Sequence, residues 1–151
     1  MTMNPLNPDF LAFIELLEAE KVDYLIVGGY AVGLHGFPRY TGDIDFFVEI
    51  SRENAGRLLR VFENFGFGNI GLTEEDFMMP DFVIEIGREP RKIQVLTGID
   101  GVDFDECREL QVLVELGKLK LKFIGKDALL RNKAASGRPK DRIDLEELRK
   151  L

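Results

Sequence analysis

Two aspartates one residue apart, Asp43 and Asp45, open a short apolar run. In an extended chain residues i and i+2 project to the same face, so the two carboxylates stand side by side while Ile44 and Phe46 face away. Thr41 extends the same row. Like charges at that spacing repel, and burying either one unpaired is costly. The row therefore needs a cation or a basic partner, and oxygen ligands favour magnesium, manganese or calcium. The plainer alternative is an exposed strand edge carrying two solvated aspartates. Upstream, Gly28-Gly29 closes the apolar run Tyr24 to Val27. Glycine at a strand-to-helix turn permits positive φ and lets a ligand approach the backbone, and the helix that follows offers free N–H groups to an anion. A tight turn with no ligand is the simpler reading of that pair.

The rest of the composition narrows the chemistry. Cys107 is the only cysteine and His35 the only histidine, which excludes an internal disulfide, a zinc site built on several His or Cys, and any mechanism needing two imidazoles. Carboxylates must carry any metal chemistry. His35 reads as packing under a loop and Cys107 as a small buried side chain. No stretch reaches the roughly 20 apolar residues of a membrane helix. Residues 1–5 lack the basic and apolar pattern of a secretory leader, so the expected location is the cytoplasm. The net charge of −7 argues against specific recognition of duplex DNA. The charge is unevenly spread. Nine Lys or Arg face two Asp between Lys118 and Arg142, an excess of +7 that leaves −14 on the remainder. An acidic body with a basic C-terminal part can hold a polyanion locally, although a solvated charged surface accounts equally for the numbers.

The elements that must position these groups follow from periodicity and punctuation. The 151 residues suit one domain. Asn7 and Pro8 start a helix in which Phe10, Phe13, Ile14 and Leu17 recur at helical spacing. Tyr24 to Val27 is a buried strand, Tyr30 to Leu34 a short helix, and Asp43 to Ile50 the next strand. Ser51 caps a helix running to Phe65, whose end places Phe62, Phe65 and Phe67 in the core. Leu72 to Met79 is a short helix or a loop. Phe82 to Ile86 and Lys92 to Thr97 form a hairpin through Gly87 to Pro90, and Asp103 to Arg108 forms one helical turn. Leu110 to Leu116 and Leu119 to Ile124 form a second hairpin around Gly117. A helical tail starts near residue 125, with helices from Lys126 to Ala135 and Lys140 to Leu151. The order implies an α/β (α+β) domain, a mixed sheet with helices packed mainly on one face.

Taken together, Val27-Gly28-Gly29-Tyr30-Ala31-Val32 and Arg39-Tyr40-Thr41-Gly42-Asp43-Ile44-Asp45-Phe46 resemble the DNA-polymerase-β-like nucleotidyltransferase superfamily. The likeness is to its small bacterial and archaeal members, the minimal nucleotidyltransferases and the enzymes of abortive-infection toxin–antitoxin pairs. The tail Asn132-Lys133-Ala134, Gly137-Arg138-Pro139-Lys140-Asp141 and Asp144-Leu145 is similar to theirs. The resemblance covers about residues 24 to 148. It implies that Asp43 and Asp45 hold magnesium, or manganese in its place, against a nucleoside triphosphate. It places Gly28, Gly29, Arg39, Thr41, Lys133, Lys140 and Asp141 around the nucleotide. A hydroxyl of an acceptor (protein, tRNA or small molecule) would attack the α-phosphorus and release pyrophosphate. For Lys133, Lys140 and Asp141 the competing reading is a surface ion-pair network between two helices. A chain of this length has little room for a separate acceptor-binding domain, so a cognate partner protein or a homo-oligomer is the expected complement to the site, with nothing in the sequence deciding between them.

One position departs from that pattern. The superfamily places a third carboxylate on a later strand, and the strand that aligns here reads Lys92-Ile93-Gln94-Val95-Leu96-Thr97, with Gln94 in the acid's place. Glutamine can ligate through its carbonyl oxygen but carries no charge and cannot act as a base. Glu85, on the partner strand, is the expected substitute, with Asp100 and Asp103 as weaker ones. Three readings follow: a working transferase, a nucleotide-binding module of low turnover acting in a toxin–antitoxin or defence pair, or a plainly structural protein that keeps the fold and binds no ligand. The first two separate on whether a third carboxylate lies within reach of a metal at Asp43 and Asp45.

Overall fold

A computed structural model describes residues 6–151, so the leader question posed on residues 1–5 lies outside the described residues. Helix α1 (Pro8–Ala19) starts where expected: the Asn7 side chain accepts from the Asp9 N–H at 2.8 Å. Next come β1 (Tyr24–Val27), α2 (Gly28–Leu34), β2 (Ile44–Val48) and α3 (Arg52–Phe62), and then α4 (Glu74–Met78), β3 (Val83–Arg88) and β4 (Arg91–Leu96). The chain ends with α5 (Phe104–Glu109), β5 (Val112–Leu116), β6 (Leu119–Phe123), α6 (Lys126–Ser136) and α7 (Pro139–Arg149).

The six strands form one mixed sheet in the order β3-β4-β2-β1-β6-β5. The most apolar strand, β1, lies inside the sheet, antiparallel to β2 and parallel to β6, and all four of its residues are buried. Strand β2 runs parallel to β4 and carries Phe46, Phe47 and Val48 into the core. One face is covered by α1 and α3, where Phe13 meets Phe46 and Phe62 at ring-centroid distances of 5.4 and 5.6 Å. On the other face Phe104 of α5 packs over Phe47 at 5.2 Å. Buried Asn54 joins α3 to the sheet. Its amide donates to the carbonyls of Asp23 and Glu49, and its oxygen accepts from the Asp23 N–H, so every polar atom is satisfied.

Several boundaries differ from the sequence reading, each for a local reason. Strand β2 starts at Ile44, leaving Asp43 just outside it. Helical backbone continues past the end of α3 at Phe62 into 63–67, where Gly66 at φ 99° breaks the helix, the stop indicated by the sequence. The β3–β4 ladder continues to Arg88 and Arg91, so Gly87 lies within a strand and only Glu89-Pro90 forms the turn. The helix over Glu74–Met78 is fixed by a capping box, in which Thr73 and Asp76 satisfy each other's backbone N–H. Proline at its first position starts α7 one residue earlier than expected.

Candidate active site

The β-ladder brings distant residues into one row. Asp45 is the register partner of Val27 on β1 and of Gln94 on β4, and Gln94 is the partner of Glu85 on β3. Asp45, Gln94 and Glu85 thus cross the sheet at one level on one face, with Asp43 one step behind. The Asp43 carboxylate accepts from the Lys92 N–H at 3.1 Å. The Thr41 hydroxyl donates to the Asp43 carbonyl at 3.1 Å, which places Thr41 as a brace of the turn.

The glycine pair makes room for the Asp45 carboxylate. Gly28 is the first residue of α2 and has φ +69°. A Cβ there would lie 2.1 Å from Asp45 Oδ2, and a Cβ on Gly29 would lie 2.8 Å from Thr41 Oγ1. A side chain at either position would push the carboxylate row away from β1.

Asp45 is half-buried, and among the described residues no donor hydrogen-bonds to it. Its pKa is pushed up to about 6, first by burial and next by the Asp43 charge. Lys133, Lys140 and Arg138 pull it part of the way back. A carboxylate desolvated, crowded by a like charge and faced by three cations without a direct partner is poised for a charged ligand.

The C-terminal helices supply those cations differently from the sequence expectation. Lys133 is buried at 4% exposure and bridges Asp141 at 2.9 Å and Asp144 at 3.2 Å. Arg39 grips Asp144 with both Nε and Nη2, each at 2.9 Å. Arg138 and Ser136 complete Asp141. Against the desolvation that burial imposes, hydrogen bonds from Arg138, Lys133 and Ser136 hold the Asp141 carboxyl below the usual carboxylate range. Arg39, Lys133 and Asp141, expected around a nucleotide, are thus turned toward one another in a buried network that joins α6 and α7 to the segment leading into Asp43. It is an ion-pair network as the competing reading had it, but internal rather than superficial. Lys140 is exposed and without an ion pair among the described residues, which leaves it available to an anion at Asp45.

Asp144 stands at the centre of that network, whereas the sequence reading placed it only in the family-like tail and gave it no role. Its signal was the i, i+3 spacing from Asp141, which puts both carboxylates on one side of a helix. Of the substitutes for a third acid, Glu85 accepts from the Gln94 amide at 2.6 Å and pairs with Lys92 at 3.4 Å. Asp103 caps α5, and the carbonyl of Asp100 accepts from Asn132. Among the described residues no group of three or more His, Cys, Asp or Glu is placed to hold a metal ion. His35 donates through Nε2 to the Ile124 carbonyl, 2.7 Å away, under the loop. Cys107 is buried, with its thiol pushed up to about 11 by burial.

No family model and no curated protein sequence matches the chain. Its shape is shared by solved structures over nearly the whole of both chains. One is a candidate nucleotidyltransferase (TM1012) from Thermotoga maritima, with TM-score 0.61 and 18% identity, covering 97% of this chain and 96% of that one. Another is the lincosamide antibiotic adenylyltransferase LnuA with lincomycin bound, with TM-score 0.61 and 17% identity, covering 97% and 98%. The chain has the nucleotidyltransferase fold.

Proposed function

We propose that this protein moves a nucleoside monophosphate from a nucleoside triphosphate to a hydroxyl acceptor. The observation that carries the reading is Asp45: a desolvated carboxylate beside Asp43, seated against Gly28 and facing Lys140 and Arg138, on a nucleotidyltransferase fold. Two adjacent carboxylates, one with no protein donor, suit an ion that arrives with its own water and phosphate ligands. The donor set fits one divalent ion carried by the triphosphate, magnesium or manganese, and offers no third acid for a second ion. Such an ion supplies charge neutralisation at the phosphates when bound. Lys140 and the free edge of Arg138 draw the triphosphate to the β1 side of the row and stabilise the departing pyrophosphate. The acceptor hydroxyl then enters from the opposite side, over Gln94 and Glu85, because attacking and leaving oxygens lie roughly in line, and as its oxygen bonds the α-phosphorus its proton passes to the Glu85 carboxylate or to a phosphate oxygen of the substrate.

A small-molecule acceptor is favoured over a protein hydroxyl or a tRNA end. LnuA carries its antibiotic on a chain that this one matches end to end, so no separate acceptor domain is required. We place the reaction in the cytoplasm, where nucleoside triphosphates are found. Gln94 supports a second reading, a nucleotide-binding module of low turnover in a toxin–antitoxin or defence pair, because an amide cannot take the acceptor's proton. Thermal unfolding with magnesium and each nucleoside triphosphate tests the common premise. A magnesium-dependent rise in Tm that Asp43→Asn/Asp45→Asn abolishes is expected. The favoured triphosphate, labelled, then separates the readings: transfer to a hydroxyl compound supports the enzyme, and binding without transfer the module. No rise with any triphosphate at about 1 mM refutes both.

A further inference from the structure

We infer that the hairpin end of the sheet carries a second ligand site, for a small organic anion with a flat apolar body. A cavity of about 550 Å³ opens there, within the roughly 300–1,000 Å³ of small-molecule pockets. Its floor is Ile86 and Ile93, register partners on β3 and β4, both buried. Its wall is aromatic. Phe65 and Phe67 stack on each other at 5.9 Å with their planes 17° apart, and Phe10 closes the inner side. Phe65 and Phe67 were expected in the core. Both pack against the core, Phe65 edge-on to Phe13 at 5.2 Å, and each stays half-exposed along the cavity on either side of the break at Gly66.

The mouth gives the charge of the ligand. Arg88 and Arg91 are register partners directly across the ladder, and both line the cavity with Ile86 and Ile93. Like charges directly opposite on a sheet are destabilising. Among the described residues neither guanidinium has an ion pair or a hydrogen bond, whereas Arg39, Arg52, Arg57 and Arg60 each have one. Asp9 also lines the cavity, one carboxylate against two guanidinium groups, and pairs with neither among the described residues. A carboxylate or phosphate group lying between Arg88 and Arg91 relieves their repulsion and can accept from both. The same ligand's ring then covers the stacked phenylalanines. Ile93 alternates along β4 with Lys92 and Gln94, and Gln94 is the register partner of Asp45, so the cavity floor lies on the sheet face away from Asp45. The two faces touch through the hairpin. The Lys92 N–H holds Asp43, and Gly42 packs against the Pro90 carbonyl so closely that a Cβ there would lie 1.9 Å from it.

The site is testable whatever the carboxylate row does. 1-Naphthoate is titrated into the full chain, labelled with ¹⁵N, and followed by amide chemical shifts. Saturable shifts confined to 65–67 and 86–93 are expected, with the neutral 1-naphthalenemethanol binding at least about tenfold more weakly. Arg91→Glu is the decisive variant. It sets a carboxylate opposite Arg88, so the hairpin pairs at least as well as before, while the anion loses its seat and affinity falls by about tenfold or more. Arg88→Gln/Arg91→Gln gives the same loss without a new charge. The inference is overturned by absence of saturation up to about 5 mM, by shifts centred on Gly28, Asp43 and Asp45, by equal binding of the neutral analogue, or by undiminished binding to Arg91→Glu.

Discussion

Replacing Asp45 with asparagine is expected to stabilise the ligand-free protein while abolishing its response to magnesium and nucleotide. The size of the effect follows from the raised pKa. Asp45 moves from an ordinary value of 3.8 to about 6 in the fold, chiefly through burial. The folded state therefore holds this proton more tightly than the unfolded chain. The stability that the protonated group contributes is fully present below pH 3.8 and is lost as pH rises through about 6. That interval corresponds to about 3 kcal/mol, the cost of keeping the carboxylate ionised in its site at neutral pH. Asparagine removes the charge and keeps the shape, but its amide must also be desolvated, so a net gain of about 1–3 kcal/mol is expected at pH 7.5. For a domain of this length that raises Tm by about 3–9 °C. The assay is thermal or denaturant unfolding of both proteins from pH 7.5 to 4. Groups such as Asp141 that titrate alike in both cancel in the difference. The gain should shrink as pH falls and vanish near pH 4. Stability of Asp45→Asn below that of the wild type at pH 7.5, or a gain that persists undiminished at pH 4, would show that Asp45 is not the desolvated, unpartnered carboxylate described here.

Three further outcomes follow from the same geometry. Gly28→Ala places a methyl at φ +69° and 2.1 Å from Asp45 Oδ2, and should cost about 1–3 kcal/mol in denaturant unfolding and abolish the nucleotide-dependent rise in Tm. Lys133→Met leaves Asp141 and Asp144 buried without their shared cation, and a loss of about 3–5 kcal/mol is expected by the same measurement; a change under 1 kcal/mol would refute the network's role. Gln94→Asp sets a third carboxylate in register beside Asp45, and manganese alone should then raise Tm more than it does in the wild type. An unchanged manganese response would mean that position 94 does not face the metal.

The sequence by itself determined the elements and the carboxylate row. Apolar periodicity placed all six strands and the principal helices, because burial of one face or both leaves a pattern of period 2 or 3.6 along the chain. The i, i+2 rule put Asp43 and Asp45 on one face, and Gly-Gly before a helix indicated a close approach. Tertiary structure decided what each group meets. Only the sheet register shows that the carboxylate pressed against Gly28 is that of Asp45, and that Glu85 is spent on Gln94 and Lys92. Only the docking of α6 and α7 shows that Arg39 reaches Asp144, 105 residues away, and that Lys133 lies inside the protein with two aspartates. Ion pairs between such distant residues leave no period in a sequence, since a charge reads the same whether it faces water, a ligand or a buried partner. The same holds for Phe65 and Phe67, whose composition says core. Their half-exposure depends on the break at Gly66 and on how far the β3–β4 hairpin extends past it.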